Sequence, residues 1–239
     1  MEIDSRHEVV EDIDPNHEVV EDSAPEIDPL AVELVEFLQG NVTDPITNES
    51  FGLEGRRSVT YNPGGKSGIT IGTGVDLKHH TESSMVKAGL PTEIAQKLSE
   101  YYGKDDSALV GKTPLSEEEI DLLDLVVMTE ELKHIRKKIK NFDDVPKELR
   151  QAVIMAEHQY GSGTNLVKQV AAGKYKEAVE NLTTWTDKTP DLGENIAKKY
   201  HAIGRAAKEV TEYANMEDGW YRDKSTKAEF EVKNGRRVM

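Results

Sequence analysis

Glu54 and Asp76 stand 22 residues apart in the stretch GLEGRRSVTYNPGGKSGITIGTGVDL, residues 52–77, with Thr70 between them. Two carboxylates that reach one cleft are the minimal equipment for cleaving a glycosidic bond. One, kept protonated, donates to the leaving oxygen. The other, ionised, activates water or stabilises the oxocarbenium-like transition state. The same residues also have a plainer reading, in which Glu54 joins a surface ion pair beside Arg56-Arg57 and Asp76 caps the segment that follows.

The local pattern decides what can present these groups. GGKSG at 64–68 invites a phosphate loop, but the glycine required five positions before Gly65 is Thr60. The residues that follow, ITIGTGVD, are β-branched or glycine and do not open a helix. A hairpin fits better: RRSVTY as one strand, NPGGKSG as turn chemistry and GITIGTGVD as the return strand. Alternation on one continuous strand puts Ile69, Ile71, Thr73 and Val75 on a core face, and Thr70, Gly72, Gly74 and Asp76 on the other. Glycines inside a strand mark close approach of a ligand or of another part of the protein. The bare face is thus either a floor for an extended substrate or a site of tight packing.

Helices must carry the rest. LAVELVEFLQG has apolar residues at helical spacing and stops at Gly40. From Thr81 onward the pattern is helical. Ser116 and Glu119 form a capping box at the head of a long stretch with an acidic start and a basic end, a strut long enough to join two lobes. Further helices are expected within 147–160, 164–172, 174–185 and 191–214. AEFEVKNGRRVM alternates around Asn234-Gly235 and suggests a small hairpin. Trp185, Trp220 and Tyr102 read as core or helix-end anchors.

Composition narrows the chemistry. Residues 1–29 carry eleven acidic residues against Arg6 alone, leaving 29 basic and 34 acidic residues in the rest of the 239-residue chain. This leader is aromatic-free, broken by Pro15, Pro25 and Pro29, and repeats HEVVED at 7–12 and 17–22. It cannot bury enough apolar surface to offset its ordering entropy and reads as disordered until bound. No basic face is available for nucleic acid. With no cysteine there is no disulfide, thiol nucleophile or thiolate metal site. No apolar run is long enough to span a membrane, and MEIDSRHEVVED is not a secretory signal. The adjacent His79-His80 pair is poorly spaced to chelate one metal.

The stretch LEGRRSVTYNPGGKSGITIGTGVDL resembles the active-site region of phage-type lysozymes, and more closely that of pesticin-like muramidase toxins. Glu54-Gly55 matches the Glu-Gly pair before the hairpin, and Thr70-Ile71-Gly72-Thr73-Gly74 the Thr-Ile-Gly-x-Gly strand. ELRQAVIMAEHQYGSGTNLVKQVAAGKYKEAVENL is similar, more weakly, to the helical lobe; together the likeness covers roughly residues 30–212. It implies an α+β, mostly helical fold, with a small hairpin lobe and a helical lobe joined by a long helix. By position, Glu54 matches the general acid and Thr70 the threonine that positions water. Phage lysozymes place their aspartate just after the hairpin tyrosine, where this chain has Asn62 and Pro63. The pesticin-like pattern has it six residues beyond the threonine, at Asp76.

The expected division is residues 1–29 as leader, residues 30–214 as the lysozyme-like catalytic domain that the resemblance implies, and residues 215–239 as a tail or small hairpin. Tyr61, Gly72, Gly74, Gln159 and Tyr160 are the expected substrate contacts, and one of Arg56, Arg57 or Arg205 is expected to hold Glu54 by a charge-assisted bond. The implied activity is hydrolysis of the β-1,4 bond between N-acetylmuramic acid and N-acetylglucosamine in peptidoglycan, without metal or cofactor, by a toxin, effector or phage lysin. The alternative is a non-catalytic peptidoglycan-binding or structural virion protein on the same scaffold. Cytoplasmic synthesis without a signal peptide would require a non-classical route to the wall in the periplasm, with the leader open to a carrier, secretion or immunity protein.

Overall fold

Helix-capping signals and apolar spacing partition the chain much as its sequence predicts. The structure, a computed structural model, describes residues 25–160, 163–186, 193–213, 219–222, 229–233 and 236–238. The front of the chain runs α1 (Pro29–Gln39), β1 (Asn41–Thr43), β2 (Ser50–Gly52), β3 (Arg57–Tyr61), β4 (Thr70–Gly72) and β5 (Val75–Asp76). Helices follow: α2 (Glu82–Ala88), α3 (Thr92–Lys97), α4 (Glu117–Lys138), α5 (Lys147–Tyr160), α6 (Asn165–Ala171), α7 (Tyr175–Thr183) and α8 (Gly193–Tyr213). An antiparallel meander of β6 (Gly219–Arg222), β7 (Glu229–Lys233) and β8 (Arg236–Val238) comes last, with β8 against α8. The fold is α+β and mostly helical, as expected.

The strut is α4. Ser116 Oγ accepts from Glu119 N at 3.3 Å while Glu119 Oε2 accepts from Ser116 N at 2.9 Å, closing the expected capping box. Its 22 residues span about 33 Å, and its two halves serve different cores. Ile120, Leu123 and Val126 pack with Ile69, Ile71, Leu77, Met85 and Leu98 in the hairpin lobe. Met128, Leu132 and Ile135 pack with α1, α5, α6, α7 and α8 in the helical lobe. Each fully buried leucine or isoleucine in these cores stabilises the fold by about 2 kcal/mol.

Three expectations change. First, GITIGTGVD is not one strand: β4 and β5 pair antiparallel, with Thr70 opposite Asp76 and Ile71 opposite Val75, and the chain reverses at Thr73-Gly74. Positive φ at Gly72 (63°) and Gly74 (84°) permits the reversal. Second, the leader expected through residue 29 is tied down from Pro25. Asp28 caps α1 by accepting from Leu30 N at 2.9 Å, pairs with Arg136 of α4, and donates its own N–H to Thr129 Oγ1 at 3.2 Å. Ile27 packs on the hairpin-lobe core. The HEVVED repeat lies outside the described residues. Third, Trp220 is 71% exposed on β6 rather than an anchor, whereas Trp185 packs on the helical core and Tyr102 on the hairpin core. Among the described residues no helix is long and apolar enough to cross a membrane.

Candidate active site

Glu54 is held by the end of α1. Leu53 N donates to Gly40 O at 3.0 Å, and Glu54 N and Gly55 N both donate to Leu38 O, at 3.0 and 3.1 Å. Leu53 itself is buried in the helical core. Gly55 at φ 71° lets the chain turn away toward β3, a conformation that disfavours any side chain bearing a Cβ. The backbone of Glu54 is therefore anchored on the helical-lobe side.

Asp76 is anchored on the other side. As the cap of a 3-10 turn it accepts from Lys78 N at 3.0 Å, and it also accepts from Gly68 N at 3.1 and 3.2 Å. His79 Nε2 lies 3.6 Å from its Oδ2. The capping role weighed from the sequence is thus real, and it coexists with a place in the cleft. Thr70, buried, donates its hydroxyl to Gly68 O at 3.2 Å.

One cleft of about 570 Å³ is lined by Glu54, Tyr61, Thr70, Gly74, Asp76, Gln159 and Tyr160 together with Glu131, Glu157, His158 and His80. Seven of the eight residues expected to form the site thus share it. Gly72 does not. Its Cα faces α4, where a Cβ would overlap Asp124 Oδ1. Buried Asp124 accepts from Thr73 N at 2.9 Å and from Thr73 Oγ1 at 2.7 Å, and Gln39 of α1 donates to the same hydroxyl at 3.0 Å. Burial pushes the Asp124 carboxyl up, and the Thr73 hydrogen bonds only partly offset it. Gly74 likewise closes against His158, whose Nε2 a Cβ would overlap. The glycines serve close packing of the hairpin tip against two helices, the second of the two roles their spacing allowed.

Tyr61 pairs with Thr70 across β3–β4 and carries the Arg57 guanidinium 4.3 Å from its ring centroid. Burial raises its phenol, with Glu54 the next cause. Burial lowers His80, with His79 adding to the fall and Asp76 opposing it. Tyr160 extends the cleft toward an aromatic cluster, 5.7 Å from Trp185 and 6.4 Å from Tyr200 by ring centroids.

Among the described residues no arginine holds Glu54. Arg56 is taken by Glu117 and Asp121, Arg205 by Asp44, and Arg57 by the Tyr61 ring. Among the described residues Glu54 forms no ion pair.

The family model described as "Pesticin: Bacterial toxin homologue of phage lysozyme, C-term" matches residues 46–176, more than half of the chain. The chain belongs to the pesticin family. Its kinship with phage lysozyme points to glycoside-hydrolase chemistry and a muramidase-like toxin. A comparison with curated proteins gives no match. Within this pesticin-family domain, sequence reasoning missed Asp124 and Glu131. Each interrupts an apolar i, i+4 row of α4, Ile120–Asp124–Met128 and Val127–Glu131–Ile135, and that misplacement of charge was the available signal. Among the described residues no three acidic or histidine side chains gather as a metal site.

Proposed function

We propose that the protein is a peptidoglycan muramidase acting by two-carboxylate acid/base catalysis, as a bacteriolytic toxin, effector or lysin. The observation that carries this reading is the convergence of Glu54 and Asp76 on one cleft from opposite lobes. Glu54 donates its carboxyl proton to the glycosidic oxygen as the bond to the anomeric carbon breaks. Water, held by Thr70 and Asp76, adds to the oxocarbenium-like carbon, and its proton passes to the Asp76 carboxylate. The two carboxyls exchange protons with solvent to reset. Asp76 is suited to the second role because two backbone N–H groups fix its orientation. Delivery to the wall falls to a carrier that reads the acidic leader.

The test is release of soluble muropeptides from purified peptidoglycan, with mass spectrometry of the fragments. Wild type yields fragments ending in N-acetylmuramic acid, and Glu54→Gln and Asp76→Asn each lower the rate by about 100-fold or more. Wild type that binds sacculi but releases nothing ends the enzyme reading and leaves a wall-binding scaffold.

A further inference from the structure

The two-carboxylate reaction leaves two carboxyls in the cleft with a covered, unpartnered oxygen, Glu131 and Glu157, and Glu157 is already paired with Lys138 through its other oxygen. Glu131 projects from α4 into the cleft that contains Glu54 and Asp76. Its side chain as a whole is 33% exposed, yet Oε2 is covered and has no hydrogen-bond partner. Its Oε1 is 4.0 Å from His158 Nδ1, beyond hydrogen-bonding distance. A covered carboxyl oxygen without a partner is destabilising, which a structural role does not explain.

The neighbours define what would satisfy it. Burial pushes the Glu131 carboxyl up; Glu157 pushes the same way, while His158 and His134 oppose it. When protonated, it offers one O–H donor and one acceptor. In the same cleft Gln159 Oε1 is also covered and unpartnered. A donor and spare acceptors in one cleft, which Val75 and Val127 also line, match a neutral group that carries both a carbonyl and an N–H. On the sugars of a peptidoglycan strand, the acetamido substituent is such a group. An ammonium fits less well, because it needs the ionised carboxylate that burial disfavours.

We propose that Glu131 is a specificity residue of the cleft, binding the acetamido group of one sugar with its carboxyl O–H on the acetamido carbonyl oxygen, while Gln159 accepts from the amide N–H. The assignment rests on the reading of the cleft as a glycan site.

Its test is calorimetric binding to the full chain carrying Glu54→Gln, so that no turnover intervenes. The probes are the N-acetylglucosamine tetramer and its fully de-N-acetylated counterpart. The acetylated tetramer binds more tightly. Adding Glu131→Gln, which keeps a donor and an acceptor, changes affinity by less than about threefold; Glu131→Leu lowers it by about tenfold or more. In the active enzyme Glu131→Leu raises KM more than it lowers kcat. The proposal is overturned if the Leu variant binds as its parent does, if the Gln variant is as weak as the Leu variant, if the de-N-acetylated probe is preferred, or if neither probe binds. Should the Leu variant fail to fold by circular dichroism, the Gln variant and the acetylation preference decide. Failure of the muramidase reading is distinct: wild type then releases no muropeptides whatever the tetramer affinities are.

Discussion

Thr70 and Asp76 face each other directly across the β4–β5 hairpin as paired residues of an antiparallel ladder. Opposed residues project from the same side of a sheet with Cβ atoms about 5 Å apart, a span that one water molecule bridges. Gly68 serves both, since its carbonyl accepts from the Thr70 hydroxyl and its N–H donates to Asp76. The hydroxyl and the carboxylate are thereby held as a unit by one peptide segment.

That unit makes Thr70 a test of the water-positioning role. Thr70→Ser keeps the hydroxyl and is expected to stay within about tenfold of wild-type kcat. Thr70→Val keeps the shape and removes the hydroxyl, and is expected to lose about 100-fold in kcat with little change in KM. Muropeptide-release kinetics read both. Equal rates for the Val variant and wild type would show that the hydroxyl takes no part.

The hairpin tip yields a stability prediction. Ala at Gly64, Gly72 or Gly74 meets positive φ in each case, at a cost of about 1 kcal/mol. At Gly64 a Cβ meets nothing within 4 Å, so that backbone cost is the whole effect. At Gly72 the Cβ also displaces Asp124, whose carboxylate is held by Thr73, and the loss rises to about 3 kcal/mol or more. Gly74→Ala falls between them, because the His158 ring edge is freer to move. Denaturant unfolding of the three variants is expected to rank them Gly64, Gly74, Gly72 in increasing damage; a flat series would mean that the tip is not docked on α4.

Acid stability depends on Asp44 and Arg205. Burial pushes the Asp44 carboxyl up, but the Arg205 guanidinium and the Ile46 and Thr47 N–H groups together outweigh it and hold it below its ordinary 3.8. A carboxylate depressed in the folded state adds stability above the unfolded value and loses it as pH falls through the folded one. Arg205→Met leaves a buried carboxylate held only by the Ile46 and Thr47 N–H groups and costs about 2–3 kcal/mol at pH 7. Thermal melts are expected to show that gap closing below about pH 4. A gap that stays constant down to pH 2.5 would assign the effect to packing instead.

How much of this was legible differs element by element. The helices were readable because their signals are local: the Ser116–Glu119 box, the apolar rows and the terminating glycines act within a few residues of themselves. Glu54, Thr70 and Asp76 stood out through their residue types in an unusual glycine-rich run, sharpened by the family resemblance. The arginine expected to hold Glu54 was wrong in all three choices: Arg57 lies over the Tyr61 ring of its own strand, and the partners of the other two come from wherever the lobes dock. Arg56 meets residues 61 and 65 positions away and Arg205 one 161 away. No spacing rule reaches that far.

By itself the sequence determined the mostly helical lysozyme-like fold, the long strut and the pair of carboxylates, since residue type, periodicity and capping are properties of neighbouring residues. Only the tertiary structure decided that the strand breaks into a hairpin at Thr73-Gly74 and that the glycines there pack against Asp124 and His158. It alone brought Glu131 to the cleft beside Glu54 and Asp76. The physical reason is that burial and close approach depend on how α4 and α5 dock on the hairpin. A carboxylate on a helix reads as solvated until the element that covers it is in place.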